Sequence, residues 1–228
     1  MTKLVFTPEQ ISHMLTLQDE LNTLIHPNWK EQNFDWNIAA LAELVEIKEW
    51  LGWKWWKKGY KQGLTEENKK QIQIEVIDIL HFWLSWQLTY GLDYNNPETI
   101  AHKLNKGSTF LGNLEFAVNS LLGCCVCEDG GDWYNLGNLI TKAELTSEQV
   151  YETYLSKYTL NIFRQDHGYK TGDYAKHWLY PALSLQFQED NWFLEKAIQQ
   201  IKDQGHEVSI ERIRNCLEYW YSNLEGGK

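Results

Sequence analysis

The 228 residues carry a formal net charge of −10, and 43% of them are hydrophobic, enough to build a sizeable core. The acidic balance argues against a surface that binds a nucleic-acid backbone. There is also no run of about 18 apolar residues such as a membrane span needs. The opening MTKLVFTPEQ is too short in its apolar part for a signal peptide, so a cytoplasmic protein is expected.

In chain order the pattern is helical almost throughout. Thr7-Pro8-Glu9-Gln10 combines an N-cap, a proline at the first helical position and a glutamine three residues after the cap. The helix it opens is predicted to run to about Leu24, with Ile11, Met14, Leu15, Leu17 and Leu21 inward. His26-Pro27-Asn28 breaks it. A second helix is predicted from about Trp36 to Lys58, and a third from about Glu66 to Tyr90. The third is apolar on nearly every side between Ile72 and Trp86, as a central helix of a bundle would be. One or two helices follow between Glu98 and Cys127, with a break near 105–112, and Glu128–Asp132 reads as a turn. A second capping box at Thr146–Gln149 opens a helix to about Gln165. The Gly-, Tyr- and Lys-rich stretch 166–191 reads as an ordered loop, and two helices close the chain, 191–203 and 209–224. The expectation is an all-α helical bundle forming a single catalytic domain over 1–228, with no internal repeat.

Two acidic pairs stand out. Glu43-x-x-Glu46 lies in AALAELVEIKEWLGWKWWKK and Glu75-x-x-Asp78 in IQIEVIDILHFWLSW. Residues three apart share a helix face, so each pair is a two-carboxylate claw. Ile72, Ile74, Ile77, Ile79 and Phe82 surround the second pair, and Trp36, Ala39, Trp50 and Trp53 share the stripe of the first. Both pairs are therefore expected on buried or half-buried faces. Buried carboxylates are costly without a compensating cation, and an all-oxygen donor set points to Mg²⁺ or Mn²⁺. The usual work of such ions is polyphosphate chemistry. Glu49, Glu66 and Glu67 read as ordinary solvated acids. His81, beside Asp78, is compatible with a core histidine and with a substrate contact.

A basic constellation follows. Lys157, Asn161 and Arg164 fall on one helix face, and Gly168-Tyr169-Lys170-x-Gly172-x-Tyr174-x-Lys176 comes at once after it. Arginine, lysines and close-approach glycines suit a phosphate chain, and a charged helix face with a loop is the plain alternative. Gln18 and Asn22, four apart, could read a base edge or simply face solvent. Trp50, Trp53, Trp55 and Trp56 are expected to pack rather than to stack on a ligand. Cys124, Cys125 and Cys127 lack the second pair that a zinc site requires. No phosphate-binding G-x-x-x-x-G-K-[ST] loop is present.

LQDELN (17–22), AELVEIKEWLGWKWWK (42–57), EVIDILHF (75–82), LSKYTLNIFRQDHGYKTGDYAKHW (155–178) and EDN (189–191) occur in the order found in a known family. Together they resemble the all-α nucleoside triphosphate pyrophosphatases, the MazG-like superfamily, and within it the dimeric dUTPases. The resemblance implies Mg²⁺-dependent hydrolysis of dUTP, and of dUDP, to dUMP with release of pyrophosphate or phosphate. Water attacks the β-phosphorus. It implies Glu43, Glu46, Glu75 and Asp78 as metal ligands, with Glu43 also activating the water. Gln18, Asn22, His81, Phe82 and Asn161 would contact base and sugar. Lys157, Arg164, Tyr169, Lys176 and Asn191 would hold the phosphates. A homodimer is implied, with no nucleic-acid or membrane partner, in the cytoplasm of a bacterium or a phage-infected cell. Metal-binding helices would span about 36–90, a phosphate and lid region about 146–191 and C-terminal helices about 191–224.

Two departures from the family pattern are visible. HWLYPALSLQFQ (177–188) stands where a short turn is expected, which bears on Asn191, and His167 stands where an asparagine is expected before Gly-Tyr-Lys. A dCTP-preferring or broader dNTP pyrophosphatase shares the same chemistry. A non-catalytic nucleotide- or protein-binding bundle is the alternative of another class.

Overall fold

The computed structural model describes residues 3–58, 60, 63–91, 96–127 and 131–224. Among them the chain forms α1 (Pro8–Ile25), α2 (Trp36–Trp50), α3 (Glu66–Tyr90), α4 (Pro97–Gly107), α5 (Leu114–Val126), α6 (Trp133–Lys142), α7 (Ser147–Asp166), β1 (His177–Trp178), β2 (Gln188–Glu189), α8 (Asp190–Asp203) and α9 (Ile210–Tyr221). The fold is all-α. No helix is long and apolar enough to cross a membrane among the described residues.

Local signals in the sequence set most of these boundaries. In both capping boxes the threonine hydroxyl accepts from the glutamine amide, and the glutamine side chain accepts from the threonine amide (Thr7 with Gln10, Thr146 with Gln149). Asp35, Thr65, Asn96, Asn113, Asp132 and Ser209 cap six further helices through a side-chain oxygen.

The chain divides into two compact units. One takes in the residues up to Asp19 and Asn28–Tyr151; the other takes in Glu20–Pro27 and the chain from Glu152 onward. In the first unit α2 packs along α3, and α5 and α6 join them, with α4 on α6. The predicted central helix is central: Ile72, Val76, Ile79, Leu80, Trp83 and Leu84 of α3 are all essentially inaccessible. In the second unit Phe163 and Leu160 of α7, Trp178 of β1, Phe193 of α8 and Trp220 and Tyr221 of α9 share one core.

Three expectations need correction here. The second helix stops at Trp50, not near Lys58, because Gly52 turns into the left-handed region at φ +69°. The tryptophans beyond it therefore leave the helix face. Trp53, Trp55 and Trp56 pack edge-on against one another and are exposed, Trp55 by 72%. The stretch 166–191 is not loop throughout, since His177–Trp178 pairs antiparallel with Gln188–Glu189 at the two ends of the unexpected segment.

One helix escaped the sequence reading. α6 is short and has Gly137 at its middle, yet it buries Trp133, Leu136, Leu139 and Ile140. Gly137 is what allows its packing. A Cβ there would fall on the Leu104 carbonyl of α4, and a Cβ at Gly107 of α4 would fall on the Tyr134 carbonyl of α6. The turn expected at 128–132 lies largely outside the described residues.

Candidate active site

Three of the four predicted metal ligands come together. Glu43 of α2 and Glu75 and Asp78 of α3 each bring a carboxylate oxygen within 4.8 Å of the others. Glu75 is 7% exposed, and Glu43 and Asp78 are half-buried. Three carboxylates this close repel one another in a partly desolvated setting, and a hard divalent cation is the natural compensation for an all-oxygen set. The residues present therefore fit a divalent metal.

Glu46 is not in this group and is exposed, contrary to the half-buried position expected of it. Helix geometry gives the reason. The buried stripe of α2 is Ala40, Leu44 and Ile47. At 3.6 residues per turn Glu43 flanks that stripe, while Glu46 is rotated about 60° further toward solvent. Glu49 is exposed as expected and pairs with Lys54 while accepting from the Trp53 indole.

Beside the acids on α3 lie His81 and Phe82. His81 is buried, and its Nδ1 is 2.7 Å from Oε1 of the equally buried Gln18 on α1. Two residues predicted to meet a base are thus in contact within the first unit. Phe82 is half-buried. A cavity of about 520 Å³ between the end of α2 and the start of α3 is lined by Trp50, Lys54, Lys57, Lys58 and Asn68, and by none of the three clustered acids.

The predicted phosphate residues, with Asn22 and Asn161, belong to the second unit. Lys157 and Asn22 are buried at 8% exposure, Asn161 and Asn191 are half-buried, and Tyr169 and Lys176 are exposed. The Lys176 ammonium lies 5.7 Å from the Tyr169 ring centroid. Arg164 is held most tightly. Its Nε and Nη2 donate to Oδ2 and Oδ1 of Asp190, each at 2.8 Å, and its Nη1 donates to Asn161 Oδ1 at 3.0 Å. Burial opposes the guanidinium's charge, but the hydrogen bonds and charge of Asp190 outweigh it, and the pKa of Arg164 is raised. Asp190 had no assigned role in the sequence reading. It stands in the EDN segment and opens an amphipathic helix, but neither signal names a partner, and that partner lies 26 residues away.

His167, the departure from the family pattern, turns toward the core. Its ring stacks on Phe163 at 4.0 Å between centroids, Nδ1 lies 2.8 Å from the Phe163 carbonyl, and Nε2 lies 3.3 Å from Glu218 on α9. The cysteines form no metal group among the described residues. Burial pushes the Cys125 thiol up to about 11, as for an inert core thiol.

A family model described as dUTPase matches residues 10–169, well over half of the chain. No curated protein matches the chain. The matched span includes Gln18, Asn22, all four predicted metal ligands, His81, Phe82, Lys157, Asn161, Arg164 and Tyr169. Lys176, Asp190 and Asn191 lie beyond it. With this match over an all-helical fold, the chain belongs to the dimeric, all-α dUTPase family and is a dUTP diphosphatase.

Proposed function

We propose that the chain hydrolyses dUTP, and also dUDP, to dUMP in a reaction that requires Mg²⁺, with Mn²⁺ as a competent substitute, by attack of water on the β-phosphorus. The observation that supports this most is the approach of Glu43, Glu75 and Asp78 to within 4.8 Å of one another from two packed helices. A divalent cation bound there screens phosphate charge and lowers the pKa of a nearby water. Glu75 and Asp78 would hold the cation, with Glu43 and the exposed Glu46 as further carboxylate donors. Glu43, half-buried, orients the attacking water and accepts its proton.

Attack at the β-phosphorus breaks its bond to the oxygen shared with the α-phosphorus. That oxygen leaves on dUMP, and the water oxygen stays with pyrophosphate from dUTP or with phosphate from dUDP. One geometry serves both substrates because neither step involves the γ-phosphorus. Phe82 stacks on the base, Gln18, Asn22 and His81 read its edge, and Asn161 meets the sugar. Lys157, Arg164, Tyr169, Lys176 and Asn191 donate to the phosphate oxygens and stabilise the departing charge. The active form is a homodimer.

Hydrolysis of dUTP in ¹⁸O-labelled water tests the reading. The label is expected in pyrophosphate with none in dUMP. Label in dUMP would put the attack on the α-phosphorus and overturn the proposed chemistry.

A further inference from the structure

Arg164 is proposed above as a phosphate ligand, yet three of its five N–H groups are already committed. Two go to Asp190 and one to Asn161. Asp190 is 1% exposed, and besides the fork from Arg164 its Oδ2 accepts from the Tyr174 hydroxyl at 2.9 Å. Its backbone amide donates to the Lys176 carbonyl at 2.9 Å. One buried residue thus ties together α7, the segment bearing Tyr174 and Lys176, and the first turn of α8. The chain just before it, Gln188–Glu189, is the strand paired with His177–Trp178.

A bidentate guanidinium–carboxylate pair fixes the plane of the arginine. The three bonds leave one N–H on each terminal nitrogen, aimed in directions that the pair sets, and the Arg164 side chain keeps 12% of its surface accessible. Asp190 neutralises much of the charge of Arg164. What the pair retains for a ligand is directed hydrogen bonding rather than a free cation.

We propose that Asp190 is a positioning residue for nucleotide polyphosphate. It holds Arg164 in the orientation that meets the phosphate chain and anchors the Lys176 segment against α8. This rests on the assignment of Arg164 to the phosphates. Asp190 lies outside the residues 10–169 that the family model matches, in the EDN segment that directly follows the departing stretch 177–188.

The test compares two ligands that differ only in phosphate: α,β-imido-dUTP, which is not hydrolysed at that bridge, and deoxyuridine. Dissociation constants are measured with Mg²⁺ for the unaltered protein, Asp190→Asn, Arg164→Ala and the double variant. Asp190→Asn keeps the side-chain shape and one acceptor. It is expected to weaken imido-dUTP about ten-fold or more while deoxyuridine stays within about two-fold. In the Arg164→Ala background that ten-fold effect is expected to vanish, because the two residues act as one unit.

Equal weakening of both ligands by Asp190→Asn would reduce Asp190 to a purely structural role. Tighter imido-dUTP binding would mean that it competes with the phosphates for Arg164. Either result overturns the inference, as does an undiminished effect in the Arg164→Ala background. If Arg164→Ala itself leaves imido-dUTP and deoxyuridine in their original ratio, the phosphate assignment of Arg164 fails instead. Should Asp190→Asn not fold, Arg164→Lys carries the test. It keeps the charge and loses the fork, so imido-dUTP is expected to weaken about ten-fold, and unchanged binding would overturn the inference.

Discussion

His81 Nδ1 and Gln18 Oε1 meet at 2.7 Å, with both side chains buried in the first unit. An amide oxygen can only accept, so with Oε1 toward the ring Nδ1 is the donor, and the contact orients both side chains. A base pocket built on this pair discriminates through donors and acceptors whose directions are set. His81→Ala is expected to lower kcat/KM for dUTP about ten- to a hundred-fold and to narrow the preference for dUTP over dCTP. Kinetics with the two nucleotides check this. An unchanged preference would remove His81 from base recognition.

The acid cluster ranks its members. Glu75 and Asp78 lie on the central helix within the group of three, while Glu46 is exposed and outside it. Glu75→Gln or Asp78→Asn is expected to cut turnover by about a hundred-fold or more and to weaken Mg²⁺ binding measured calorimetrically. Glu46→Gln is expected to do less on both counts. EDTA is expected to abolish turnover in the unaltered protein, and added Mg²⁺ to restore it.

The crossing of α4 and α6 depends on glycine. A methyl group on Gly137 would meet the Leu104 carbonyl oxygen, which as helix backbone cannot step aside. Gly137→Ala is expected to cost about 1–3 kcal/mol despite the better helix propensity of alanine, seen as a lower thermal midpoint. An unchanged or higher midpoint would show that the two helices separate cheaply.

Tyrosines in the second unit set a stability limit at high pH. Burial first, then the hydrogen bond to Glu20 and its charge, push Tyr158 from 10.0 up to about 12. Burial also raises Tyr154 and Tyr174, and the charge of Asp190 adds to the rise at Tyr174. Below pH 10 the phenol is protonated in both states, so its contribution is fully present. Above that the unfolded chain loses the proton while the folded chain keeps it, and stability falls as pH rises through about 12. Thermal midpoints measured from pH 9 to 12 are expected to decline, and Tyr158→Phe to flatten the decline.

Where a boundary rested on local chemistry, the sequence was a sound guide. The two capping boxes start α1 and α7 as read, and the apolar continuity of 72–86 made α3 central. Glu43, Glu75 and Asp78 were legible for the same reason, because helical spacing fixes their faces. The failures are tertiary. α6 is short, and its central glycine is accounted for only by the α4 backbone that lies against it. The exposure of Glu46 depends on which stripe of α2 meets α3, and the tryptophan-rich composition favoured the wrong one. The Asp190–Arg164 pair spans 26 residues of sequence and leaves no periodic trace. His167 could be flagged as a departure, but its turn toward Phe163 and Glu218 is set by α9, more than 40 residues on.

The most direct test of the central claim is pyrophosphate release from dUTP, dCTP, dTTP and UTP, each assayed with Mg²⁺ and with EDTA. Rapid turnover of dUTP with Mg²⁺, silence with EDTA and little turnover of the other three nucleotides are expected. Turnover of dUTP that persists undiminished in EDTA would contradict the metal role given to Glu43, Glu75 and Asp78, and equal or faster turnover of dCTP would contradict the substrate.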